Sequence, residues 1–341
     1  MEHKLCIITN EQLHESNGNF FCDNIDLKSI PEGLKEFADI KIVGRKSKKS
    51  RTKQINVKQI ESSSNLIGYI YLLIKSFKFK ETKYLIISIS PFTFFASLIL
   101  KIFSKKHFIY LRSNGYEEYK NIIGGFGRLI YHFMFIISVI NASLISCRKR
   151  FLRNHKGEVV HPSQINEKWF LPEKKIDLKK KEILYVGRIR VEKGVYSLMD
   201  ILKDTDIKLT IVTSEKDIKI KNLPKNVSAI SFENKDDAII KFYDDHSIFI
   251  LPSFTEGHPQ VLDEALARAR PVIIFTEIEH VKRDRKGVFV SERNLASLLL
   301  TIKQIKENYE KIVIDIKNNK LPTKKKFFVR IKKNNKFKLR Q

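Results

Sequence analysis

A rhythm of short apolar strand, loop and helix runs through this chain twice, and nothing else in the sequence constrains the fold as strongly. In the first half the strand candidates are Leu5–Thr9, Ile40–Val43, Tyr84–Ile89, Phe108–Leu111, Ala142–Ser146 and Glu158–His161, with helices at Leu66–Phe79 and Phe94–Phe103. The rhythm restarts with strands at Ile183–Val186, Lys208–Val212, Val227–Ser231, Ile248–Leu251, Pro271–Phe275 and Gly287–Val290. Helices near Val195–Leu202, Lys235–Asp244, Pro259–Arg268 and Leu295–Asn308 separate them. Strands alternating with helices imply parallel sheets covered on both faces. The stretch Trp169–Lys181, with its basic run Lys174–Lys181, reads as a connection between two such units. A length of 341 residues suits two domains of roughly 150 residues each. In folds of this kind ligands bind outside the carboxyl ends of the strands, so the cleft between two domains is the expected site.

Charge narrows the partners. The chain has 64 Lys and Arg against 38 Asp and Glu, a net +26, which calls for an anionic partner: nucleic acid, an acidic membrane surface or a phosphorylated substrate. From Lys317 to Gln341 there are eleven basic residues and no acidic one. The tail interleaves lysine with Phe327, Phe328, Ile331 and Phe337, which suits either attraction to a membrane surface with aromatics dipping into the interface, or a plain solvated end. Basic segments at Arg45–Lys53 and Phe77–Lys80 favour the membrane reading. Cys6, Cys22 and Cys147 lie far apart without metal-ligand spacing and fit a reducing cytoplasm. No signal peptide is expected, because Met1 runs straight into a strand. The apolar stretch Leu129–Cys147 approaches the length of a membrane crossing, but its Ser138, Asn141 and Ser143 favour a buried helix followed by a strand.

Two segments carry chemistry. In the first, a strand ends at Gly187 and a basic loop leads through Arg188 and Lys193 into a helix. Gly187 permits a sharp turn, and the two cations project where a diphosphate is clamped. A solvated basic loop is the plainer alternative. In the second, the strand Ile248–Leu251 meets a loop holding Glu256, Gly257 and His258, and Pro259 is expected as the first helical residue. Backbone N–H groups near Gly257 and His258 would then face an anion or sugar hydroxyls. Glu256 and Glu264 offer acceptors to hydroxyl donors; the alternatives are helix-dipole compensation for Glu256 and a surface pair with Arg268 for Glu264.

Together these segments resemble family 4, the glycosyl transferases group 1, of retaining glycosyltransferases with the GT-B fold. The matching stretches are YVGRIRVEKG (185–194), LPSFTEGHPQVLDEALARARPVI (251–273) and, more weakly, VVHPSQINEKWF (159–170) and KGVFVSERN (286–294). Seven residues separate Glu256 from Glu264, as in the family's paired-glutamate motif. The resemblance implies an α/β chain of two doubly wound Rossmann-like domains facing each other across a cleft. Their boundaries fall at 1–163 for the acceptor side, 164–318 for the donor side and 319–341 for a basic tail that packs on the N-terminal domain or a membrane. It implies Arg188 and Lys193 as the diphosphate clamp, Glu256 near the donor sugar and Glu264 on the ribose, with Gly187, Gly257, His258 and Pro259 shaping the donor site. It also implies a nucleotide diphosphate sugar as substrate, no cofactor, no metal and no carboxylate nucleophile. The Asp204-Thr205-Asp206 triplet, which spells the DxD of metal-dependent enzymes, reads instead as a polar turn.

The departures are specific. Ala269 stands where the family usually has glycine, and Glu277, Glu279, His280, Lys282 and Arg283 replace the glycine-rich loop that often follows. Ser113 and Asn114 occupy the neighbourhood of a catalytic-site histidine. Gly18, in the loop Glu11–Phe20 expected after the first strand at the border of the cleft, is a candidate acceptor-side residue with Arg112 and Asn114. The expected activity is transfer to a glycan or lipid-linked acceptor in surface polysaccharide or lipopolysaccharide synthesis, at the inner membrane face. The competing readings are a nucleic-acid-binding protein, for which no recognition motif is present, and a nucleotide-sugar binder without turnover.

Overall fold

A computed structural model describes residues 4–78, 82–170, 182–215, 223–232 and 236–333. The connection expected at 174–181 and part of the basic segment 77–80 lie outside them. The chain divides into two compact units: residues up to Pro162 with those from Lys325 onward, and Ser163–Lys324.

In the first unit the elements run β1 (Lys4–Ser16), β2 (Asn19–Cys22), α1 (Ile25–Leu34), β3 (Asp39–Lys46), β4 (Lys53–Ile55), β5 (Gln59–Ser63) and α2 (Leu66–Lys75). They continue with β6 (Lys83–Ile87), α3 (Pro91–Ile102), β7 (His107–Leu111), α4 (Gly115–Ile123), α5 (Gly125–Val139), β8 (Ser143–Ser146) and β9 (Gly157–Val159). The parallel ladder reads β5-β3-β1-β6-β7-β8-β9. One expectation is corrected here. Residues 11–20 are not a loop: β1 continues past a register shift between Ile8 and Gln12 and folds back antiparallel onto β2, with Ser16 opposite Asn19. Asn17 (φ 49°) and Gly18 (φ 74°) make the two-residue turn, the Asn-Gly hairpin chemistry that needs positive φ at both positions. The turn accounts for Gly18 without a ligand. Helix starts follow their capping residues: Asn65 Oδ1 accepts from Gly68 N at 2.7 Å before α2, and Ser90 and Thr93 form a capping box with Pro91 at the start of α3.

The second unit contains β10 (Glu182–Val186), α6 (Val195–Leu202), β11 (Lys208–Thr213), β12 (Val227–Ser231), α7 (Asp236–Asp245) and β13 (Ile248–Leu251). After these come α8 (Gln260–Ala267), β14 (Val272–Phe275), β15 (Val288–Ser291), α9 (Leu295–Glu307) and α10 (Tyr309–Lys317). Its six strands are all parallel in the order β12-β11-β10-β13-β14-β15. The strands are continuous apolar runs, with every residue of β13 and β14 buried, as expected of a parallel sheet covered on both faces. Asp204–Asp206 lies in the turn before β11, at the amino edge of the sheet.

The last helix, α11 (Lys324–Lys333), supplies residues to the first unit, not the second. Phe327 (4% exposed) and Phe328 (6%) sit in the core that lines α1 and the inner face of β1 and β7. These two phenylalanines are therefore buried core residues, which corrects the reading of them as interfacial aromatics. Each contributes about 1.5–3 kcal/mol of apolar burial. The side chains of Ile331 and Phe337 lie outside the described ones.

Candidate functional site

The strand order of the second unit reverses direction between β10 and β13, and the loops leaving these two adjacent strands face the gap where ligands bind in doubly wound sheets. These are the two loops that carry the sequence motifs. Their contact is direct. Gly194, in the left-handed region at φ 66°, packs so closely that a β-carbon there would run into the Pro252 carbonyl oxygen. Phe254 N donates to Glu192 O at 3.0 Å.

Across this junction Lys193 Nζ meets Glu256 Oε1 at 2.6 Å, with the two side chains 22% and 10% exposed. Ser253 Oγ donates to the same oxygen at 2.7 Å. The helix-dipole alternative for Glu256 is thus superseded by a specific ion pair. Glu256 Oε2 takes no hydrogen bond among the described residues, leaving an acceptor for a hydroxyl group.

The basic loop is held by its backbone. Tyr185 Oη donates to Arg188 O at 2.8 Å, and Ile189 N donates to Glu215 Oε2 at 3.0 Å while Glu215 Oε1 pairs with Arg190 at 3.1 Å. A β-carbon at Gly187 would fall 2.5 Å from the Tyr185 hydroxyl. Arg188 itself is exposed, and its guanidinium has no ion-pair partner among the described residues. One cation is therefore anchored and one is available.

Pro259 stands one position earlier than expected. It is the residue before α8, with ψ 105°, and Leu262 N donates to its carbonyl oxygen. The extended ψ places it at the cap, not inside the helix. The His258 side chain turns inward: Nε2 lies 3.3 Å from Asp263 Oδ2, and both side chains are at most 2% exposed. Arg285 closes this cluster, donating to Asp263 at 2.7 and 3.1 Å. Burial pushes the Asp263 carboxyl up, and the Arg285 guanidinium opposes that shift. His258 thus offers a ligand only its backbone. Gly257 faces open space, with nothing within 4 Å of an added β-carbon.

Glu264 is oriented by Tyr243, whose hydroxyl donates to Oε2 at 3.0 Å. Burial, and then the neighbouring Glu264 charge, raise the Tyr243 phenol well above its usual range, so it stays a donor. Arg268, offered as the surface partner of Glu264, is instead buried and bidentate to Asp244 at 2.8 and 2.9 Å.

Sequence reasoning missed Arg293. It lies in the stretch 286–294 and reaches back to the second motif loop, donating to Pro252 O at 2.9 Å and to Glu277 Oε1 at 2.6 Å. Its guanidinium stacks over Phe254 at 4.0 Å and Phe275 at 4.3 Å. The stretch was visible as a match, but no spacing rule links position 293 to 252 or 277.

The remaining candidates belong to the first unit. Arg112 contacts Glu11 at 3.4 Å and Asp26 at 3.6 Å. Asn114 occupies the cap position of α4 without a capping hydrogen bond, and lines a cavity of about 220 Å³ with Ser113, Tyr116, Arg150 and Arg153. Gly18 sits on the exposed hairpin turn. Among the described residues no group of three or more His, Cys, Asp or Glu is arranged to hold a metal.

Residues 167–321 match the family described as glycosyl transferases group 1. A Haemophilus influenzae protein called an uncharacterized glycosyltransferase is 29% identical over 172 residues, which is 47% of each chain, so the match spans about half the length of that relative. Among solved structures, sucrose-phosphate synthase from Thermosynechococcus elongatus superposes with a TM-score of 0.69 at 14% identity over 97% of this chain and 98% of that one. The Anabaena protein HepE in complex with UDP-glucose gives 0.68 at 11% identity over 97% and 99%. The lipopolysaccharide outer core galactosyltransferase WaaB gives 0.62 at 14% identity over 98% of both. At these identities the likeness is one of fold: two parallel-sheet, Rossmann-like domains of the GT-B type.

Proposed function

We propose that this chain, whose residues 167–321 match the glycosyl transferases group 1 family, is a retaining glycosyltransferase of that family. It moves a sugar from a nucleotide diphosphate donor to a glycan or lipid-linked acceptor in surface polysaccharide or lipopolysaccharide synthesis. The observation that carries this reading is the Lys193–Glu256 pair at the crossover of the second sheet, beside the available Arg188. When the bond from the sugar anomeric carbon to the diphosphate breaks, the electron pair leaves with the phosphate oxygen. Arg188 and Lys193 stabilise that charge, and with two cations and the start of α8 in place no metal is required. The acceptor hydroxyl oxygen bonds to the same face of the sugar, and its proton passes to the departing phosphate. Glu256 receives a donor-sugar hydroxyl, and Glu264, oriented by Tyr243, receives the ribose.

A uridine diphosphate donor is favoured, because HepE, a relative in fold, is seen with UDP-glucose. The acceptor side includes Asn114 and the cavity around it, with Arg150 and Arg153 available to an anionic acceptor group. A thermal-shift panel of UDP-, GDP-, ADP- and CMP-sugars is expected to single out one nucleotide. With that donor, Glu264→Ala weakens nucleotide binding and Lys193→Ala abolishes transfer. Wild-type turnover in both variants would overturn the site, and salt-sensitive binding to random oligonucleotides with no donor binding would overturn the function.

A further inference from the structure

Three helices on one face of the first sheet carry apolar side chains on the side turned away from the core. On α5 and the residue after it these are Phe126, Leu129, Phe133, Ile136 and Ile140, spaced by three and four residues and between 42% and 68% exposed. The helix was expected to be buried; only its inner half, Tyr131, Met134, Phe135, Ser138 and Val139, meets the core. On α2 and its following turn, Ile67 is 85% exposed, Tyr71 66% and Ile74 39%. On α3 and the residue after it, Ile102 is 73% exposed, Phe103 50% and Phe95 42%. The stripes are joined, not scattered: Phe94 packs on Phe95 at 5.4 Å and on Phe133 at 6.0 Å, and Phe103 packs on Phe77 at 5.2 Å. A continuous apolar surface of this kind marks an interaction site on a soluble protein.

Charge identifies the partner. Helices α2, α3 and α5 contain no Asp or Glu. Lys75, Lys78, Lys101, Lys105 and Lys106 gather where α2 and α3 end, and Lys105 lies 5.3 Å over the Phe77 ring. Arg128 stands at the start of α5. Lys75 pairs with Glu61 and Arg128 with Glu117 on neighbouring elements, but the exposed aromatic and branched side chains of the three helices, fringed by Lys78, Lys105 and Lys106, fit an anionic lipid surface, where the apolar groups enter the acyl boundary and the cations meet the headgroups. A protein partner or second copy buried against three helices would be expected to meet some acidic positions on the helices themselves, and α2, α3 and α5 have none. No described helix is long and apolar enough to cross a membrane, so the contact is with the surface.

We propose that the outer face of α2, α3 and α5 docks the protein on an anionic bilayer. This rests on the surface alone and does not depend on the acceptor reading above. The test is cosedimentation of the full chain with vesicles of phosphatidylglycerol and phosphatidylcholine, against phosphatidylcholine alone. The expected result is partitioning onto the anionic vesicles that falls at least tenfold in Leu129→Gln/Phe133→Gln, with melting and donor-induced thermal shift unchanged. Ile102→Gln/Phe103→Gln repeats the loss from a second helix, should the first variant fold poorly. Replacing the tail cations, as Lys336→Gln/Lys338→Gln, lowers binding less than either. The proposal is overturned if wild type stays in the supernatant, if the helix variants bind as wild type does, or if wild type is a dimer that these variants dissociate.

Discussion

Arg293 shows what a single side chain contributes here. It is 14% exposed, ties the second motif loop to Glu277 and rests on two aromatic rings. Removing it leaves the Pro252 carbonyl and the Glu277 carboxylate without their donor, so Arg293→Ala should cost about 2–4 kcal/mol in urea unfolding. It should also raise the donor KM, because the loop that carries Glu256 is released. Partial burial works against ionisation of Glu277, but the hydrogen bond and charge of Arg293 outweigh it and hold the carboxyl below its ordinary value of 4.5. A lowered folded-state value stabilises the protein above the unfolded value, and that contribution disappears as pH falls through the folded one. Wild type and Glu277→Gln should therefore differ in unfolding midpoint at pH 7 and converge as pH falls through the lowered carboxyl value. Ala269 makes a related point at the backbone. Its φ of 54° is the left-handed conformation that explains why the family places glycine there, and this chain carries the strain with a buried methyl.

At the scale of elements, two glycines in the motif loops have opposite reasons for being glycine. Gly194 combines positive φ with a backbone carbonyl where a β-carbon would sit. Gly194→Ala should cost about 2–3 kcal/mol or more, since the left-handed penalty and the displacement of Pro252 add. Gly257 has ordinary φ and open space beyond its α-carbon. Gly257→Ala should leave the unfolding midpoint within about 0.5 kcal/mol while weakening donor binding, measured by titration calorimetry, because the methyl occupies space facing the ligand. Both motif loops were legible as strand, glycine or proline punctuation, and helix. Pairing Lys193 with Glu256 was not, because 63 residues separate them and only the β10–β13 neighbour relation brings their loops together.

At the scale of the molecule, the chain returns to its first unit after completing the second. Phe327 and Phe328 pack under α1, where Gly33 makes room for the Phe328 ring. Phe328→Ala should destabilise the first unit by about 3–5 kcal/mol. The second unit, whose core contains neither residue, should be spared, and hydrogen exchange resolved along the sequence separates the two. A solvated tail would show no such asymmetry. The net charge of +26 drew attention to that tail. The surface distribution moves it to the first unit, where cations fringe exposed apolar helices that contain no Asp or Glu.

The sequence by itself determined the strand and helix alternation of the second unit, most of the core sheet of the first, and the two motif segments at the strand ends. These are local patterns: buried parallel strands are apolar without interruption, and loops at their ends carry glycine, proline and charge. The hairpin at Asn17-Gly18 was also written locally but was overshadowed by the polar residues before it. Tertiary structure alone decided the ion pair of Lys193 with Glu256, the inward turn of His258 onto Asp263 and the reach of Arg293 to Pro252 and Glu277. It also decided the burial of Phe327 and Phe328 in the first unit and the exposure of the outer stripe of α5. Each depends on which distant segments pack together, and an apolar residue reads alike in sequence whether its helix face meets a core or faces outward.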